Sequence, residues 1–403
     1  MTTELPSRFG MIVARCCMLA ASAALACAVP VQSAYALGNN DKVDFSNSIG
    51  PGYQPIDDDE KGLWMRVNEV ERDFKHSKFI IKDPALNEYV RNVLCRTVGE
   101  AECADIRLYI MRTPHFNASM APNGMMQIWS GLLLRVQNEA QLAAILAHEY
   151  AHYTRRHSLQ SFRNIRRNTG RGLFFSMIIP FAGLLTVDSI FSFSREMERE
   201  ADRLSLGYLE RAGYSAIEAS RIWEQLRAEQ DATAAERQIK SRKDKTGGLF
   251  ATHPNSRERM EILRDLVEQA PEAGQGDINR SEYLAAVADW WPRFIDDQIK
   301  RNDFGGTEFL LNQLAETENT PQLHYAKAEL YRARGAEGDF AIAVSEYELA
   351  LQSEPGFAAA MRGMGLALLR MGQRGDGQAF LRQYIEAAPD APDIAMMKMM
   401  GGM

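Results

Sequence analysis

The chain has 403 residues, 46% apolar and 25% charged, with a formal net charge of −7. This composition excludes a collagen-like, wholly disordered or polytopic membrane protein, and at roughly 150 residues per domain the length favours two or three domains. Acidic residues outnumber basic ones, and basic residues cluster only in the short run from Arg163 to Arg171, so no nucleic-acid partner is expected.

In chain order, the N-terminus reads as an address. Arg8 and Arg15 precede the apolar stretch Met18 to Val29, and Ala34-Tyr35-Ala36 has the small-x-small pattern of a signal-peptidase site. Residues 1–36 are expected to be a cleaved secretory signal. The alternative is an uncleaved anchor, although the run is shorter than the ~20 apolar residues that span a bilayer. Export would carry Cys95 and Cys103 into an oxidising compartment, where a short-loop disulfide competes with two reduced, buried thiols. Residues 37–60, rich in Gly, Asn, Asp and Pro, read as an extended leader with few core contacts.

Helical spacing then runs through Leu63, Val67, Val70 and Phe74, and again through Leu86, Tyr89, Val90, Val93 and Leu94 after Pro84. Ile106 to Ile110 alternates as a strand, and Met125 to Trp129 follows the turn signal Pro122-Asn123-Gly124 as a second one. Asn138, with Gln141 three residues on, caps a helix expected to reach about His157. The apolar run 172–193 is interrupted by Pro180 and Gly183, and reads as a buried or membrane-facing helical hairpin, giving a peripheral membrane contact. Residues 194–230 read as further helix and 240–248 as a flexible loop, and the Pro271 to Gly276 segment marks a boundary.

Beyond that boundary a repeat emerges. Ala328 to Tyr331, Gly335, Ala341 to Leu351 and Pro355 are echoed by Gly365 to Leu368, Gly372, Ala379 to Ile385 and Pro389. The two prolines lie 34 residues apart, the period of a tetratricopeptide repeat. Such helix pairs bury their apolar faces only by stacking, so residues 278–320 are expected to supply an earlier, degenerate pair of a domain spanning 278–395. The methionine-rich tail, Met396 to Met403, reads as a disordered end or a cap.

The chemistry centres on His148-Glu149-Tyr150-Ala151-His152. Residues four apart share a helix face, so both imidazoles reach one cation, with zinc expected, while Glu149 flanks it as general base. A hydrolytic zinc takes three protein ligands, so a third is sought downstream. In Ser194 to Asp202, Glu198 and Asp202 share one face while Glu196 and Glu200 point to solvent. Glu198 is the expected ligand, and Asp202 the acceptor that fixes a ligating imidazole. His157, five residues past His152, is expected to rotate off the metal face.

HEYAH, SREMEREAD with Gly207 further on, and Thr252-His253-Pro254 with Arg259 together resemble the M48 family of gluzincin-type metallopeptidases, in particular its periplasmic branch with tetratricopeptide repeats. The resemblance implies the same roles for Glu198 and Asp202, an inhibitory metal ligand in His253, and a substrate-site arginine in Arg259. It also implies that the segment Asn117 to Gly124 and the strand after it, with Gly124, Met125, Met126 and Gln127, form an edge strand on which substrate backbone is laid. The fold expected is mainly α: an α+β metallopeptidase domain over 61–271 with a small edge-strand sheet, then an α-helical repeat solenoid. The implied function is a periplasmic zinc endopeptidase acting on unfolded, misassembled or stalled envelope proteins. Its implied partner is the outer-membrane β-barrel assembly machinery. The alternative is a periplasmic chaperone or assembly factor whose zinc site is gated or structural.

Overall fold

The computed structural model describes residues 47–169, 193–241, 256–316 and 319–403. The expected signal over 1–36, the apolar run 172–193 apart from Phe193, and most of the loop over 240–248 lie outside the described residues.

Helix α1 (Asp58–Phe74) starts where the Asp57 side chain accepts the Glu60 N–H, and its stripe of Leu63 and Val67 is buried. The leader expected over 37–60 therefore ends early, and its described part is fastened to the domain. The Ile49 N–H donates to Thr154 O at 3.0 Å. Tyr53 Oη and Arg156 both donate to the carboxylate of Glu60, which is 2% exposed. Arg163 and Arg166, from the basic cluster, pair with Asp57 and Asp59.

Helix α2 (Pro84–Val98) is opened by Asp83 as cap and Pro84 in the first turn. A disulfide joins Cys95 to Cys103 with Cα atoms 5.1 Å apart, tying α2 to the short helix α3 (Glu100–Cys103). The sheet follows, with β1 (Arg107–Met111), β2 (Ala118–Met120) and β3 (Met125–Trp129) in the order β1-β3-β2. β3 runs parallel to β1, with Arg107 opposite Met125, and antiparallel to β2, with Ser119 opposite Gln127.

This order keeps part of the expected edge strand and corrects the rest: β2 lies within Asn117 to Gly124 and is at the edge, but the strand after it is not. Gly124 forms the turn at a φ of +86°, and Met125, Met126 and Gln127 lie in the middle strand at 1%, 0% and 4% exposure. Both sides of β3 are already paired, so no extended substrate can be added there. The edge beside β3 is β2, three residues long and too short to show a period-2 pattern.

Helix α4 (Ser130–Arg135) leads into α5 (Glu139–Thr154). Asn138 Oδ1 accepts the Gln141 N–H at 2.9 Å, and Gln141 Oε1 accepts the Gln137 N–H at 2.8 Å. Every residue from Glu139 to His152 is buried, as expected for a helix enclosed on all sides. It stops short of His157 because Arg156 adopts a left-handed φ of 58°, and α6 (His157–Thr169) departs in a new direction. The Arg156 guanidinium lies over the Tyr53 ring at 5.4 Å while gripping Glu60, so the turn is held from outside. Next come α7 (Arg195–Arg211), α8 (Glu218–Glu236) and α9 (Ser256–Glu268).

The core does not break at Pro271 to Gly276. Helices α10 (Arg280–Val287), α11 (Trp291–Ile299) and α12 (Phe304–Ala315) bury Tyr283, Phe294, Ile295 and Leu311 in the same apolar cluster as Leu94, Ile110 and Leu146. Tyr283 Oη donates to Leu133 O, Arg135 donates to Glu229 Oε2 at 2.8 Å and Gln298 Oε1 at 3.2 Å, and Thr233 donates to Asp303 at 2.8 Å. The segment expected as a degenerate repeat pair over 278–320 is thus integral to the first core. The stacked pairs are α13 (Pro321–Arg334) with α14 (Asp339–Ser353), and α15 (Ala358–Arg370) with α16 (Arg374–Ala387). The tail forms α17 (Ile394–Gly401), which buries Met397 as a cap. No described helix is long and apolar enough to cross a membrane.

One polar cluster locks α1 to the sheet. The Glu71 carboxylate accepts from Arg107 at 2.6 and 2.7 Å, Tyr109 Oη at 2.9 Å and Asn123 at 2.8 Å. Burial alone would raise its pKa, but the Arg107 and Tyr109 donors outweigh burial and bring it from 4.5 down to about 2. A depressed carboxylate contributes stability above its unfolded pKa and loses it as pH falls through the folded value. Stability should therefore decline between pH 4.5 and about 2 through this group. Chemical denaturation across that range should show a shallower acid decline in Glu71→Gln than in the parent.

Candidate metal centre

Helix α5 supplies His148 and His152 one turn apart, and α7 brings Glu198 against them. The two Nε2 atoms are 3.0 Å apart, Glu198 Oε2 lies 3.5 Å from His148 Nε2, and Glu198 Oε1 lies 3.5 Å from His152 Nε2. A tetrahedral ion with bonds of about 2.0–2.1 Å separates its ligand atoms by about 3.3 Å, so this donor set fits zinc. All three residues are buried. Among the described residues one other cluster has ligand spacing, Cys95, Glu100 and Cys103, and its thiols are spent in the disulfide.

The surrounding charges support the fit. His148 Nδ1 lies 3.0 Å from Asp202 Oδ1, and Arg259 reaches Asp202 Oδ2 at 2.8 Å and Glu198 Oε2 at 3.1 Å. Burial opposes the charge on Asp202, but the Arg259 guanidinium and His148 hold its carboxyl below the ordinary aspartate range. Burial likewise opposes the charge on Arg259, and the carboxylates of Asp202 and Glu198 raise its pKa nonetheless. The guanidinium also sits 4.2 Å from the Trp223 ring centroid. Among the described residues one buried cation therefore faces Glu198 and Asp202, with Glu149 near enough to add its own field. The excess is negative, the condition under which a buried site favours a metal ion.

The second imidazole is braced differently. His152 Nδ1 is 2.9 Å from His157 Nδ1, and His157 Nε2 is 3.2 Å from Glu200 Oε2. Arg155 holds Glu200 Oε1 at 2.9 Å, and Phe193 stacks on His152 with centroids 4.1 Å apart. Burial pushes the His157 pKa below the ordinary histidine range, against the opposing pull of Glu200. This corrects one expectation, because His157 turns back onto the centre, while Glu200 lies on the exposed face as expected and reaches His157 from there. Nothing between Thr154 and Arg156 signals a break, so helical spacing alone carried His157 away. Phe193 and Trp223 carry no sequence signal for these roles.

Glu149 is 4% exposed and lines a cleft with His148, Asp202, Arg259 and the stretch Phe116 to Ala118 leading into β2. Gly124, Met125, Met126 and Gln127 lie one strand further back. Arg259 is 3% exposed and acts through Asp202, Glu198 and His148. His253 lies outside the described residues.

Comparison with known proteins agrees with this geometry. Residues 84–267 match peptidase family M48, and residues 336–399 match the tetratricopeptide repeat. The putative beta-barrel assembly-enhancing protease of Vibrio cholerae is 28% identical over 219 residues, covering 50% of this chain and 43% of that protein. The mitochondrial metalloendopeptidase OMA1 of Schizosaccharomyces pombe is 31% identical over 192 residues, covering 46% of this chain and 53% of that one. The beta-barrel assembly-enhancing protease of Escherichia coli K12 is 23% identical over 267 residues, covering 58% and 53%. The chain spans about half the length of the curated relatives it matches.

Metal analysis of purified protein should find about one zinc per chain in the parent and under about a tenth of that in Glu198→Ala, since two nitrogens alone do not complete the site. Equal zinc in both would remove Glu198 from the ligand set.

Proposed function

We propose that this chain, which carries a family M48 peptidase domain followed by tetratricopeptide repeats, is a zinc-dependent endopeptidase acting on unfolded or misassembled proteins. The observation that carries the reading is the convergence of His148, His152 and Glu198 around one point, with Glu149 beside it in a cleft reached from the β2 edge. Zinc bound there supplies Lewis acidity, polarising a peptide carbonyl and acidifying water. Glu149 accepts the proton of the attacking water and delivers it to the leaving amine. Asp202 holds His148 with its Nε2 toward the centre, and Arg259 offsets the buried carboxylates.

The outer edge of β2 pairs with no strand among the described residues, and the residues leading into it border the cleft. An extended substrate added there gains main-chain hydrogen bonds without demanding a particular sequence, which suits a peptidase for unfolded clients. The α13 to α16 stack serves as the docking surface for a partner or client. We place the protein in the periplasm, in outer-membrane protein quality control. Support comes from the secretory pattern of residues 1–36, the Cys95–Cys103 disulfide, and the likeness to two beta-barrel assembly-enhancing proteases. The β-barrel assembly machinery is the proposed partner, and His253 the proposed inhibitory ligand.

In a casein-cleavage assay, Glu149→Gln should lower the rate by about 10²–10⁴-fold while keeping its zinc. Undiminished cleavage in that variant would exclude the peptidase reading and leave the chaperone alternative. In the same assay, His253→Ala should raise the rate, and an unchanged rate would remove the inhibitory role.

A further inference from the structure

The two ligand imidazoles differ in what holds them, and the difference points to a positioning residue. His148 presents Nδ1 directly to a carboxylate, Asp202. His152 presents Nδ1 to another imidazole, His157, whose far nitrogen faces Glu200. We propose that His157 is the residue that fixes the metal-binding tautomer of His152, with Glu200 setting the direction of the chain of hydrogen bonds. The inference rests on the zinc reading above.

The direction follows from the acceptor at the end. Glu200 Oε2, 3.2 Å from His157 Nε2, only accepts, so the His157 proton sits on Nε2. His157 Nδ1 is then a bare lone pair, and His152 Nδ1, 2.9 Å away, must donate to it. With its proton on Nδ1, His152 presents an unprotonated Nε2 to the site it shares with His148 and Glu198. The reverse order would set a lone pair of His157 against the carboxylate and put a proton on His152 Nε2, where a metal ligand cannot carry one. A doubly protonated His157 would likewise force His152 into the wrong tautomer.

The geometry is built rather than incidental. His157 is 1% exposed and lies against the ligand because Arg156 adopts a left-handed backbone, itself braced by Glu60 and Tyr53. Arg155 fixes the outer carboxylate at 2.9 Å. Partners of this kind typically contribute 10–100-fold to metal affinity.

The test is zinc affinity of the full chain by chelator competition, with the melting curve of the metal-free protein as a fold control. His157→Leu should weaken zinc binding by about 10–100-fold. His157→Gln keeps an acceptor oxygen and a donor N–H, and should stay within about threefold of the parent. Ring-nitrogen NMR of the zinc-loaded parent, which needs no variant to fold, should show His157 protonated on Nε2 and His152 on Nδ1. His157→Leu binding zinc as tightly as the parent would overturn the inference, as would a His157 proton on Nδ1. A parent that binds no zinc would overturn the metal reading itself, and this inference with it.

Discussion

Two imidazoles and two carboxylates buried between α5 and α7 are the constraint on which this molecule depends. In a medium of low polarity such groups are tolerated only when their charges are met, and Arg259 meets part of the negative charge of Glu198 and Asp202. A cation bound by His148, His152 and Glu198 would meet the rest. Enclosure of α5 from Glu139 to His152 sets this environment, because it surrounds the two imidazoles with packed side chains. The cap at Asn138, the packing of α7 and the Arg156 turn all determine where the imidazoles point.

Much of this was legible in the residues. The spacing of His148 and His152 places both on one helix face whatever the tertiary fold, and the four-residue offset of Glu198 and Asp202 does the same on α7. Strong local signals also fixed the ends of α2, at Pro84 and Val98, and of β3, at Met125 and Trp129. What escaped was set by tertiary contact. Arg156 breaks its helix with neither glycine nor proline, through its grip on Glu60, so His157 returns to a centre from which simple periodicity removes it. β2 is three residues long, too short for a period-2 pattern, and only its pairing with β3 shows that the edge lies at Ala118–Met120 and not at the strand that follows.

The join between the two parts of the chain carries a similar lesson. Pro271 and Gly276 punctuate the chain, yet a turn in the backbone is not a break in the core. Tyr283, Phe294 and Leu311 pack in the same cluster as Leu94, Ile110 and Leu146, and Leu323, Ala326 and Leu330 of the first solenoid helix join them. Among the described residues the first solenoid helix and the helices before it share one apolar cluster, so the two parts are joined through packed side chains.

The central claim is that one zinc ion lies between α5 and α7. Diffraction from crystals of the zinc-loaded protein, recorded on either side of the zinc absorption edge, tests it most directly. The account predicts a single strong anomalous peak within bonding distance of His148 Nε2, His152 Nε2 and a Glu198 oxygen. A peak elsewhere, or those three side chains in place with no peak between them, would contradict it.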